Sequence, residues 1–234
     1  MNIMSPVSRA PAALGSAASA IFSAAETLFA RLETGASVDA VLLRAAMEQA
    51  YGDSDSSGAW SWKDAYDACE AATILFLRKY GKALFRKTPS SAARLAALAK
   101  IASLLPSHTR RSEESQALQQ FSTPAPLGLA ALLAAAVSPA DVVLEPSAGT
   151  GLLAVFAEIA GAGLILNEWA EQRAELLSLL FPENSVSRFD AAQIDDHLDA
   201  GVAPTVVLMN PPFSALAHVE GRVADAPSAT SRPR

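Results

Sequence analysis

"DVVLEPSAGTGLLAVFAEIAG", residues 141–161, decides the fold. A short apolar strand ends in turn residues, a glycine-punctuated turn follows, and an apolar helix comes after it. The same grammar continues down the chain. "GLILNE" (163–168) reads as a second strand, "EQRAELLSLLF" as a second helix, "NSVSRFDA" (184–191) as a third strand, and "PTVVLMNPPF" holds a fourth. Strands alternating with short helices indicate parallel βαβ units with covered faces. Such sheets bind ligands at the carboxyl ends of their strands. The polar residues of interest fall there: Glu145, Glu168, Asp190 and Asn210.

Each of these ends admits a chemical and a plain reading. In "EPSAGTG" (145–151), Gly149 and Gly151 allow a tight turn and close approach of a ligand to the backbone, or simply make a βα turn. Glu168 lies 17 residues after Gly151. An acid near that separation takes ribose hydroxyls in nucleotide-binding α/β folds, and a carboxylate can accept both hydrogen bonds of a vicinal diol. The alternative is a cap for the next helix. Asp190, in "RFDA", is placed to accept from an exocyclic amine of adenine, or is an ordinary loop acid. "NPPF" (210–213) contains no general base. The Asn210 side-chain oxygen and the Pro211 carbonyl can accept both hydrogens of an –NH2 group, and Phe213 can stack on the ring that bears it, worth about 1–3 kcal/mol for a base. The alternative is a proline-rich strand terminator.

Upstream, residues 14–105 read as helices. Ile21, Phe22, Ala25, Leu28, Phe29 and Leu32 form one helical face, which favours a core-packing helix over a targeting segment. A second helix follows Ser37-Val38-Asp39, and "GDSDSSG" (52–58) breaks the pattern. A long third helix carries Trp60, Trp62, Tyr66, Cys69, Ile74, Leu75 and Leu77, and a fourth runs from Ser90 to Leu105.

The 234 residues are 51% hydrophobic and 18% charged, with a net charge of −6. That composition builds a core, and it lacks the basic surface of a free-standing nucleic-acid binder. Any nucleic-acid contact is therefore local or made by other segments. The single cysteine, Cys69, forms no disulfide within the chain, fits a reducing cytoplasm, and reads as a buried structural thiol. His108, His197 and His218 lack ligand spacing, so no metal site is read. No apolar run is long enough to span a membrane.

Residues 119–213 resemble class I S-adenosylmethionine-dependent methyltransferases of the amino-methylating DNA type. "QQFSTP" (119–124) is similar to the FxTP pattern of adenine N6 methyltransferases, and "EPSAGTG" to their glycine-rich motif. Glu168 matches their ribose-binding acid, Asp190 their adenine-side acid, and "NPPF" their catalytic motif, in the gamma order. A closer likeness is to the methyltransferase-like N-terminal region of bacterial Strawberry-notch-type methylase/helicase proteins. It is carried by "QQFSTP", "LEPSAGTGLLA", "LNEWAEQRAELL", "LMNPPFS", Gly221, Arg222, Asp225 and Ala226.

The resemblance implies an α/β, Rossmann-like core preceded by an all-helical region. It implies S-adenosylmethionine contacts from Phe121, Thr123, Pro124, Glu145, Pro146, Ser147, Ala148, Gly149, Thr150, Gly151, Asn167, Glu168, Asp190 and Ala191. It implies a catalytic loop of Asn210, Pro211, Pro212 and Phe213, DNA as substrate, and a helicase region as partner. The expected division is a helical region over 1–110, an incomplete core over 111–214 and a disordered tail over 215–234. The family's sheet has seven strands and this sequence supplies four, so the expectation is a truncated form of a longer protein. Its rival functions are a non-catalytic binding module of a helicase-like protein, or methylation of a glutamine amide in a protein.

Overall fold

A computed structural model describes residues 16–106 and 123–211. Among them the helices are α1 (Ala17–Glu33), α2 (Ala40–Tyr51), α3 (Trp62–Lys87), α4 (Ser91–Ala102), α5 (Ala125–Ala134), α6 (Ala154–Ala160) and α7 (Glu171–Leu180). The strands are β1 (Val142–Glu145), β2 (Gly163–Asn167), β3 (Val186–Ser187) and β4 (Val206–Val207).

The four N-terminal helices start where short polar side chains satisfy their first free amides. Ser16 accepts from the Ser19 amide, Asp39 from Leu42, Ser61 from Asp64 and Ser90 from Ala93. Ser61 and Asp64 form a reciprocal capping box, which moves the start of α3 to Trp62 and leaves Trp60 outside the helix. Trp60 is still buried, its indole N–H donating to the Asp53 carbonyl. The helical face expected in α1 is the buried one: Ile21, Ala25, Leu28 and Leu32 are all within 2% of full burial.

All strand pairs are parallel, in the order β3-β2-β1-β4. This is the expected α/β, Rossmann-like sheet with helices in its crossovers and an all-helical region before it. Val142–Glu145 pair in register with Gly163–Leu166. The outer strands are shorter than the sequence suggests. β3 keeps two residues of 184–191, because the Asn167 side chain takes the Phe189 amide at 2.8 Å and the chain then turns into a 3-10 helix at Ala191. β4 keeps Val206–Val207, between Pro204 and Pro211. α6 begins three residues after Gly151 rather than at Thr150. The α5 helix, not read from the sequence, follows Pro124 directly.

α3 is the seam between the helical region and the sheet's helices. Arg78 makes a two-point ion pair with Glu158 of α6, donates to the Leu180 carbonyl at the end of α7, and lies over the Phe181 ring. Gln172 of α7 donates to Asp64 at 2.6 Å. At Gly81 a Cβ would stand 2.4 Å from Ile159 Cδ1, so α3 approaches α6 as closely as glycine allows. One continuous apolar core runs from Ile21 and Leu28 through Ile74 and Leu77 to Phe156, Leu177 and Phe181.

Candidate functional site

Between β1 and β4 the direction of strand addition reverses: β2 and β3 lie on one side of β1, β4 on the other. A parallel sheet leaves a crevice at the carboxyl ends of the strands flanking such a switch. β1 delivers Glu145 and the turn 146–151 to that crevice, and β4 delivers Asn210 and Pro211. Thr123, on the segment entering α5, reaches the same place. Asn210 Nδ2 donates to Thr123 Oγ1 at 3.0 Å, joining residues 87 positions apart. The Asn210 side-chain oxygen makes no hydrogen bond among the described residues. Phe121, Pro212 and Phe213 lie outside the described residues.

The glycine-rich turn is held from β2. The Ala148 amide donates to the Asn167 carbonyl at 2.9 Å, and the Gly149 amide to Glu168 Oε2 at 2.7 Å. Glu168 Oε1 accepts from the Ala170 amide at 2.9 Å, so this acid also holds the turn that leads into α7. The turn needs its glycines at two points. Gly149 has φ +57° and Gly151 φ +97°, a region costly for residues with a Cβ. A Cβ at Gly151 would also lie 2.5 Å from Phe181 Cε2 and 2.8 Å from Leu177 Cδ1.

Asn167 is fully buried and engages its whole amide. Nδ2 donates to the carbonyls of Pro146 and Phe189, and Oδ1 accepts from Ser187 Oγ and the Phe189 amide. Its role is to tie the β1 turn to the end of β3, with no polar atom open to a ligand. Thr150 is also turned away, its hydroxyl donating to Glu70 Oε2 of α3 at 2.6 Å. Pro146 and Ala148 are buried in the turn, and Pro124 precedes α5. Asp190 is exposed and accepts from the Ala192 amide at 3.0 Å, capping the 3-10 helix that Ala191 begins.

All the buried charged residues among those described converge on this turn: Asp67 and Glu70 of α3, Glu145, Glu168 and Arg173. Arg173, in the first turn of α7, donates Nη2 to Asp67 Oδ1 at 2.8 Å, and its Nη1 lies 4.0 Å from where a Cβ on Gly149 would be. Burial works against the guanidinium charge, but Asp67, Glu70 and Glu168 outweigh it and hold the proton more firmly than usual. Glu145 is the reverse case. Burial pushes its carboxyl well above the usual carboxylate range and the charge of Glu168 adds to this, while a hydrogen bond from the Ala154 amide acts the other way. Glu145 Oε2 and Ser147 Oγ are buried without a hydrogen-bond partner among the described residues. Buried polar atoms without a partner are rare, and a polar group arriving beside them would satisfy them.

Asp67, Glu70 and Arg173 were not legible as site residues from local pattern. One signal was present: two acids three positions apart inside the apolar run Ala65–Leu77. The buried Cys69 sits on the same helix, and burial pushes its thiol up to about 12, which excludes a thiolate nucleophile at neutral pH. Among the described residues no group of three or more His, Cys, Asp or Glu side chains is placed to hold a metal. No helix there is long and apolar enough to cross a membrane.

No protein-family model matches this chain, and no curated protein matches it. Three solved chains do. One is a "putative RNA methyltransferase" from Pyrococcus horikoshii, 25% identical, with a TM-score of 0.40. The match covers 52% of this chain and 60% of that one, so the chain spans less than two thirds of that protein. A superposition that loose has no bearing on the chemistry of the site.

The site therefore stands on its own geometry. It offers a polar loop that can present an acceptor (Asn210), a glycine-rich turn, two buried polar atoms without a partner among the described residues, and three carboxyl groups acting on one guanidinium. That set suits a ligand carrying positive charge and hydrogen-bond donors.

Proposed function

We propose that this chain is an S-adenosylmethionine-dependent methyltransferase module acting on an exocyclic amine, adenine N6 in DNA. The observation that carries the reading is the 3.0 Å hydrogen bond between Asn210 and Thr123. Thr123 of the FxTP-like segment and Asn210 of the NPPF segment meet beside the switch point, on the carboxyl side of the strand that bears the glycine-rich turn.

The residues present fit the cofactor. S-Adenosylmethionine supplies an electrophilic methyl on a sulfonium centre, together with an ammonium group. An ammonium beside Glu145 would favour its ionised form, whose Oε2 could then accept from it as could Ser147 Oγ, and the surplus of buried carboxyl groups favours a cation. Glu168 keeps lone pairs beyond its two backbone hydrogen bonds to accept from a ribose diol. Asp190, exposed at the end of the β3 segment, suits the adenine side.

On the substrate side, the Asn210 side-chain amide is oriented by Thr123. Its oxygen is left to accept one hydrogen of the target amine, with the Pro211 carbonyl as the second acceptor. Two acceptors fix the amine's lone pair in direction, and positioning of this kind can supply much of a transfer reaction's rate. A base in duplex DNA must be flipped out to reach such a loop. With a net charge of −6, the chain relies on other segments, or on a helicase region of a longer protein, for most of its DNA affinity.

Calorimetric titration with S-adenosylmethionine tests the cofactor, and tritium transfer from the labelled cofactor tests the acceptor. Binding by the wild type is expected, with label in DNA and none in a glutamine-containing protein substrate. Asn210→Ala should keep cofactor binding and lose transfer. No heat at millimolar cofactor from a folded sample would overturn the reading, and label found only in protein would overturn the DNA assignment.

A further inference from the structure

The glycine-rich turn is braced on two sides. β2 holds it through the Asn167 carbonyl and the Glu168 carboxylate. The other support comes from α3, whose residues 67 and 70 lie on one face of the helix. Glu70 Oε2 accepts the Thr150 hydroxyl at 2.6 Å, with both residues buried. Asp67 fixes Arg173, whose Nη1 fills the space beside Gly149.

Thr150 stands between two glycines with positive φ, and glycine has the widest choice of backbone conformations. Its hydroxyl is the one side-chain donor that residues 149–151 possess, and it is spent on Glu70. A hydrogen bond to a carboxylate in a buried setting is short and strong.

We infer that α3 forms the back wall of the cofactor site, and that Glu70, acting through Thr150, is a positioning residue for the glycine-rich turn. The N-terminal helical region then sets cofactor affinity as well as stability. This rests on the methyltransferase reading for its ligand, but the positioning itself can be measured without one. In this role Glu70 acts on the turn and not on the ligand. It fixes the backbone that does, so its loss should weaken ligand binding while leaving the fold largely intact.

The test uses the full chain as wild type, Thr150→Val, Thr150→Ser and Glu70→Gln. Amide hydrogen exchange is followed across 147–151, with thermal melting and calorimetric titration of S-adenosylhomocysteine. Thr150→Val keeps the shape and removes the donor. It should exchange at least about tenfold faster in the turn and bind at least about tenfold more weakly, in line with one lost charge-assisted bond. Exchange within α1 should stay unchanged. Thr150→Ser restores the hydroxyl and should recover both properties. Glu70→Gln keeps an acceptor without the charge and should fall between, which retains a measurement if the valine variant fails to fold.

Wild-type exchange and affinity in Thr150→Val would overturn the inference. So would a serine variant no better than the valine one, since the threonine methyl would then be the part that matters. A wild type that binds no S-adenosylhomocysteine, but whose turn loosens in Thr150→Val, would overturn the methyltransferase reading and leave the positioning role standing.

Discussion

Gly149 and Gly151 are two residues apart in one motif, yet the structure assigns them unequal costs. Replacing Gly151 by alanine incurs two penalties. Its φ of +97° lies outside the left-handed basin that other residues tolerate, a backbone cost of about 1–2 kcal/mol or more. The new methyl would also stand 2.5 Å from Phe181 Cε2 and 2.8 Å from Leu177 Cδ1, both fully buried, and forced repacking of that kind costs about 1–3 kcal/mol. The expected loss is about 2–5 kcal/mol, a large share of the roughly 5–15 kcal/mol that holds a domain folded. Gly149 sits inside the left-handed basin at +57°, and its nearest neighbour to an added Cβ is Arg173 Nη1 at 4.0 Å. Only the backbone term applies, partly offset by the reduced freedom of the unfolded chain, so the net cost is about 1 kcal/mol. Urea denaturation of Gly149→Ala and Gly151→Ala beside the wild type measures both. For a chain of this size the melting temperatures should fall by roughly 2–4 °C and roughly 4–20 °C, respectively. Equal losses in the two variants, or a Gly151→Ala protein within 1 kcal/mol of wild type, would refute this account of the turn.

Two further outcomes follow from the buried charges. Glu145 has a folded pKa raised above its unfolded value near 4.5, so the folded state holds a proton that the unfolded chain has released. This contribution is complete below about pH 4.5 and is lost as pH rises towards the folded value. Wild-type stability should therefore fall relative to Glu145→Gln between pH 5 and 8, and parallel denaturation midpoints across that range would contradict it. Asp67→Ala should cost about 3–5 kcal/mol by stranding the buried Arg173, whereas the paired replacement Asp67→Leu with Arg173→Met should recover most of that. A single variant no less stable than the double would show that Asp67 is not the partner that matters.

Much of the fold was legible because its signals are local. Ser90 opens α4, the spacing of Ile21, Ala25, Leu28 and Leu32 marks one face of α1, and the apolar run before Glu145 is a strand. The outer strands were overread. Propensity in "NSVSRFDA" favours extension, but the Asn167 amide captures the Phe189 backbone and ends the pairing after Ser187. α5 escaped notice because "APLGLAALLA" is apolar on every side and offers no periodicity to read.

The sequence by itself determined the order of strands and helices, and it put Glu145, Glu168 and Asn210 at strand ends. Those facts depend on neighbours within a few positions. The tertiary structure alone decided which polar groups meet. It brought Thr123 to Asn210 and joined Glu70 to Thr150 and Asp67 to Arg173, pairs separated by 80 to more than 100 positions. It also turned Asn167 and Thr150 away from the crevice and buried Glu145 Oε2 and Ser147 Oγ without a partner among the described residues. A side chain's partner is set by the packing of whole helices against a sheet, and no repeat of two or 3.6 residues carries that information.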